Sequence, residues 1–224
     1  MEYKIILKAL VGSHLYGLNH ENSDKDYNGI FVAPTREVLG FNWNQHKETV
    51  VTKDPDCTLH EVHKFMRLAA AGNPTVLELL FCPEYEILTY EGELLVEYRD
   101  YFLSNRIKDA YGGYAYQQAK KLQQRTEDGL EGFNPAVKNR YAKHARHCFR
   151  LLRQGRELME RVSLNPVLSN VEDYFAIGNL PVDELVKKFE EEYKIFLSTE
   201  SHLPEQPNVA GMNAIINRIR SYNP

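Results

Sequence analysis

Asp24 and Asp26 stand two residues apart in the stretch GSHLYGLNHENSDKDYNGIFV, downstream of the pair Gly12-Ser13. Side chains alternate across an extended strand, so both carboxylates point one way and Lys25 points the other. Two hard oxygen donors on one face suit Mg²⁺ or Mn²⁺, which retain waters and complete their octahedra with substrate phosphates. Two such ions about 4 Å apart activate an attacking hydroxyl and stabilise a departing pyrophosphate. An Asp-x-Asp by itself is equally a turn of solvated acids. The upstream pair separates the two readings: Gly12 admits close backbone approach, amides around Ser13 form a phosphate cradle, and the Ser13 hydroxyl adds a contact.

These residues need strands to hold them. Residues 3–11, YKIILKALV, read as a strand that turns at Gly12, and 26–33 as a second strand stopped by Pro34. Residues 34–55 read as a loop or hairpin, with Trp43 as a possible substrate contact, before a third strand near 56–60. The period then becomes helical, with Val62, Phe65, Met66 and Ala69 on one face; Gly72 closes that helix, and Asn73-Pro74 caps and opens the next. Further helices are expected near 91–103, 106–127, 136–161, 181–198 and 208–221.

Composition bounds the partners. The 224 residues carry a formal net charge of -4, so any nucleotide or nucleic-acid contact must be a local basic patch. Cys57, Cys82 and Cys148 are far apart and each lies beside apolar residues, as reduced core thiols do. With no signal-peptide layout and no apolar run of ~18 residues, a cytoplasmic protein is expected.

That patch is expected on the helix over 136–161. Tyr141, Ala145, Cys148, Leu152 and Met159 form its apolar side; Lys143, Arg146, His147, Arg150 and Arg153 share the other, and no acid interrupts 138–156. Lys143, His147 and Arg150, at i, i+4 and i+7, make one donor stripe for phosphates, against the alternative of a solvated bundle face. His144 reads as a boundary histidine. The pair His60 and His63 lacks further zinc ligands at a compatible spacing. Tyr111, Tyr114 and Tyr116 could stack a base but more often anchor helix packing.

A strand ending in Gly-Ser, about ten residues, then Ser-Asp-x-Asp opening a strand resembles the signature of the DNA polymerase beta nucleotidyltransferase superfamily. The resemblance is to its bacterial and phage branch, some members of which are encoded beside RNA-repair genes. It extends through DCTLHEVHKFMRLAAAGNPTVLELLF and YAKHARHCFRLLRQGREL, and is weak over 160–224. It implies an α+β fold: a small mixed-sheet, palm-like catalytic domain over 1–103 and a helical substrate-binding domain over 104–224. It further implies that Gly12, Ser13 and Ser23, with Lys143, His147 and Arg150, contact the nucleotide, and that Asp24 and Asp26 ligate Mg²⁺ (or Mn²⁺). A third carboxylate, ligand and base, is expected on a later strand: Asp56 first, with Asp54 and Glu61 as alternatives. The implied reaction moves a nucleoside monophosphate from an NTP such as ATP to an acceptor hydroxyl, in RNA or protein. A regulator that binds nucleotide without chemistry is the remaining alternative.

Overall fold

The computed structural model describes residues 3–41, 46–127 and 135–224. Trp43 lies outside them. By its contacts the chain forms two compact units, one of Met1–Ser104 with Asn165–Val167 and Glu205–Pro224, the other of Asn105–Leu164 with Leu168–Pro204. The fold is α+β, as the motifs imply.

The first unit is built on a five-stranded mixed sheet of β1 (Lys4–Val11), β2 (Asp26–Val32), β3 (Thr49–Lys53), β4 (Asp56–Glu61) and β5 (Ile87–Leu88), in the order β3-β4-β2-β1-β5. β1 pairs antiparallel with β2 and β5, β3 pairs antiparallel with β4, and β2 and β4 run parallel. Leu7, Ala9, Ile30, Phe31 and Val32 are buried to 2% exposure or less, which makes the centre of this sheet the unit's core.

Short helices fill stretches read from the sequence as turn and loop: α1 (Gly12–Tyr16) and α2 (Thr35–Leu39). α3 (Val62–Ala70) begins where Glu61 accepts the His63 amide at 2.8 Å and buries Val62, Phe65, Met66, Ala69 and Ala70. Gly72 follows at φ 75°, and Asn73 caps α4 (Pro74–Leu77) by accepting the Val76 amide, so this segment folds as its residue types dictate. The helix expected over 91–103 is α5 (Tyr90–Glu97) followed by a 3-10 turn over Arg99–Phe102.

The second unit contains α6 (Arg106–Glu127), α7 (Pro135–Arg161), α8 (Val171–Gly178) and α9 (Val182–Ser198). Tyr111, Ala145, Cys148, Phe149, Leu152 and Phe196 are its core, at 1% exposure or less. Gly112 and Gly155 seat the Phe196 ring: a Cβ on either would lie 2.8 Å from a ring carbon. Tyr111 therefore anchors packing and is closed to bases. α8 is not among the helices expected from the sequence.

The last helix, α10 (Val209–Ser221), belongs to the first unit. Arg220 donates to Glu61 at 2.6 Å and to the Ala33 carbonyl at 2.7 Å, and Thr35 donates its amide and hydroxyl to the Asn223 carbonyl. No helix among the described residues is long and apolar enough to cross a membrane.

Candidate active site

The parallel pairing of β2 with β4 sets Asp26 directly against Asp56. Paired residues share a face, so the first residues of two adjacent strands carry their carboxylates side by side at one edge of the sheet. Neither residue is buried. Asp24, exposed, stands two residues before β2, so its position depends on the loop before the strand and not on the ladder.

That loop is fixed from both sides. His14 on α1 meets the Ser23 carbonyl at 3.2 Å, and a tight turn is closed by Ser23 N–H to His20 O at 3.0 Å and His20 N–H to Ser23 Oγ at 2.8 Å. The Ser23 side chain thus holds the turn that presents Asp24. The far end of α1 is fixed by Tyr16, whose hydroxyl lies 2.7 and 2.9 Å from the two carboxylate oxygens of buried Glu78. Both contacts span positions too distant for a sequence pattern to suggest.

Gly12 meets two demands at once. Its φ of +65° lies in the left-handed region, and a Cβ there would stand 2.6 Å from Asp26 Oδ2. A side chain would strain the backbone and push the carboxylate. The junction of β1 and α1 therefore lies against the Asp26 carboxylate, with Val11 paired to Asp26 in the ladder.

Of the other candidate carboxylates, Asp54 occupies the exposed two-residue turn between β3 and β4, which brings Lys53 opposite Asp56. Glu61 lies at the far end of β4, about 16 Å along the strand at ~3.3 Å per residue. It is 1% exposed and engaged by Arg220 and the His63 amide. Asp56 alone among the three stands in register with Asp26.

The residues present suit a hard divalent ion in donor type, since Asp24, Asp26 and Asp56 offer only carboxylate oxygens. Among the described residues no group of three ligating side chains is already gathered around one point. His60 is satisfied otherwise, with Nδ1 3.0 Å from Thr49 Oγ1, and burial followed by the nearby Lys64 charge lowers its pKa.

Lys143, His147 and Arg150 belong to α7, in the second unit. Lys143 is exposed, but Arg150 is only 2% exposed and donates to Gln154 Oε1 at 2.6 Å and to His147 Nδ1 at 3.1 Å. Arg150 thus orients His147 from within. Burial first, then the positive charges of Arg150, His144, Lys143 and Lys121, push the His147 pKa down to about 3, so its ring is neutral. His144 meets Gln118 of α6 at 2.9 Å, as a boundary histidine would. All three cysteines are free and buried; burial raises the Cys82 and Cys148 thiols to about 12.

Residues 1–189 match a family model described as RlaP, the RNA repair pathway DNA polymerase beta family. The chain is also similar to an uncharacterized 38.9 kDa protein in the nrdC-mobD intergenic region of Enterobacteria phage T4, at 32% identity over 130 residues. That match covers 53% of this chain and 38% of the phage protein, so the chain spans under two fifths of its relative.

Proposed function

The chain belongs to the RNA repair pathway DNA polymerase beta family, and from that premise we propose that it is a metal-dependent nucleotidyltransferase. In this reading it transfers a nucleoside monophosphate from an NTP to an acceptor hydroxyl, an RNA 3′ end in the first instance. The observation that carries the reading is the register of Asp26 with Asp56 beside a glycine whose missing Cβ leaves room for the Asp26 carboxylate.

Gly12 and Ser13 bind the donor phosphates through backbone amides and the Ser13 hydroxyl, while Ser23 holds the turn that presents Asp24. Asp24, Asp26 and Asp56 hold Mg²⁺ or Mn²⁺, which when bound neutralises phosphate charge and acidifies the attacking hydroxyl. Asp56 takes the acceptor's proton as its oxygen bonds to the α-phosphorus; the bond from that phosphorus to the bridging oxygen breaks, and pyrophosphate leaves. Catalysis is then chiefly positioning and charge neutralisation. Within the second unit Arg150 orients His147. The buried free thiols suit a reducing compartment such as the cytoplasm.

Incubation with each NTP labelled at the α-phosphate, together with RNA and a protein extract, tests the proposal. Label in RNA supports it. Label in protein redirects the acceptor to a side-chain hydroxyl, as in nucleotidylating antitoxins. NTP binding without pyrophosphate release would instead indicate a nucleotide-binding regulator.

A further inference from the structure

The two halves of α7 treat positive charge differently. In its second half Arg153 pairs with Asp173 at 2.5 Å and Glu192 at 2.6 Å, Arg156 pairs with Glu160, and Arg161 with Glu157. In its first half Arg140 and Lys143 are exposed, and neither enters an ion pair among the described residues. Lys121, exposed on α6, is likewise in no such pair.

The second unit brings these groups together. The His144–Gln118 hydrogen bond at 2.9 Å sets this face of α7 against α6, one turn from Lys121. The charges that act on His147 are those of Arg150, His144, Lys143 and Lys121, with no carboxylate among them. Lys121, Arg140 and Lys143 are exposed charges of one sign that enter no ion pair among the described residues, and such a group is relieved by a polyanion. From Arg140 to His147 the stripe covers about 10 Å of helix axis. A stacked nucleic-acid strand presents about three phosphates over that length.

We propose that Lys121, Arg140, Lys143 and His147 form a sequence-independent binding surface for the phosphodiester backbone of a single-stranded polynucleotide. Lys143 and His147, expected from the sequence to contact the nucleotide, are here assigned to the strand, and Lys121 and Arg140 extend the surface. This rests on the nucleotidyltransferase reading only in making that strand the acceptor. Extension over two helices fits a strand better than a compact triphosphate.

The test is fluorescence anisotropy of the full chain with a labelled single-stranded oligoribonucleotide of about 12 nucleotides. With neither NTP nor divalent ion present, failure of the donor chemistry does not affect the result. Wild-type binding should weaken as salt rises from about 50 to 200 mM, with a log–log slope near about -2 for roughly three contacts. Lys121→Glu/Lys143→Glu should weaken it about tenfold or more and flatten the slope. Arg156→Glu/Arg161→Glu, an equal charge change at the paired end of α7, should stay within about twofold, because those arginines already have partners. The proposal is overturned if wild-type protein does not bind, if both double variants lose binding equally, or if saturating NTP with Mg²⁺ displaces the strand.

Discussion

At one end of β4 the Glu61 carboxylate is buried, caps α3 through the His63 amide and pairs with Arg220; at the other, Asp56 stands unburied beside Asp26. The two acids share a strand and differ in what surrounds them. Glu61 has its partners supplied by the fold, so it contributes to stability. Asp56 is held next to a second carboxylate, an arrangement that suits an added cation. α7 repeats the contrast with the opposite sign: Arg153, Arg156 and Arg161 are paired with acids, while Arg140 and Lys143 enter no ion pair among the described residues. Within each element, the charges the fold leaves uncompensated are the ones available for chemistry or binding.

Substitutions can break or sharpen this contrast. The largest effect is expected at the uncompensated edge: Asp26→Asn and Asp56→Asn should each lower pyrophosphate release by at least about 10³-fold. Their unfolding free energy should stay within about 0.5 kcal/mol of the parent, as for surface changes. Full NTP-dependent transfer by Asp26→Asn protein would remove the assignment. Glu61→Ala should reverse the pattern. It strands the Arg220 charge and should cost about 3 kcal/mol by urea unfolding. Arg220→Ala should cost a similar amount, and the double variant less than the sum of the two.

Gly12→Ala falls between these extremes. A left-handed alanine costs roughly 1–2 kcal/mol. Because its Cβ would meet the Asp26 carboxylate at 2.6 Å, transfer should fall further than stability does. A loss of stability with transfer intact would separate Gly12 from the acid edge.

A pH dependence is expected inside the basic cluster. The folded-state pKa of His147 is about 3, below the ordinary histidine value, so the fold favours the neutral ring. Between about pH 3 and 6.5 the unfolded chain binds the extra proton, so stability rises with pH across that window and is lost as pH falls through it. The slope is at most about 1.4 kcal/mol per pH unit. His147→Gln should flatten thermal-unfolding midpoints over this range relative to the parent; an unchanged profile would show that this ring does not titrate with folding.

Much of this was legible in the chain because local chemistry governs it. Gly72 and Asn73-Pro74 stop one helix and start the next wherever the segment lies, and the amphipathic spacing of α7 survives any packing arrangement. The nearness of the Gly12 turn to Asp26 follows from the β1–β2 pairing of segments close in sequence. For the third acid the sequence put Asp56 first, with Asp54 and Glu61 as alternatives; that Asp56 stands in register with Asp26 is a pairing between strands 30 positions apart, visible only in the fold. Arg150 was expected on an exposed stripe, yet neighbouring helices cover it, since helical spacing fixes a direction on the wheel but not what lies there.

By itself, then, the sequence determined the local elements, the Gly-Ser and acidic residue types near one sheet edge, and a basic helix, because capping, periodicity and residue chemistry are properties of short segments. Tertiary structure decided which carboxylate joins Asp26, which is taken up in a buried ion pair, and that α10 packs with the N-terminal unit. Those outcomes depend on strand register and burial, which arise only when distant segments share one core.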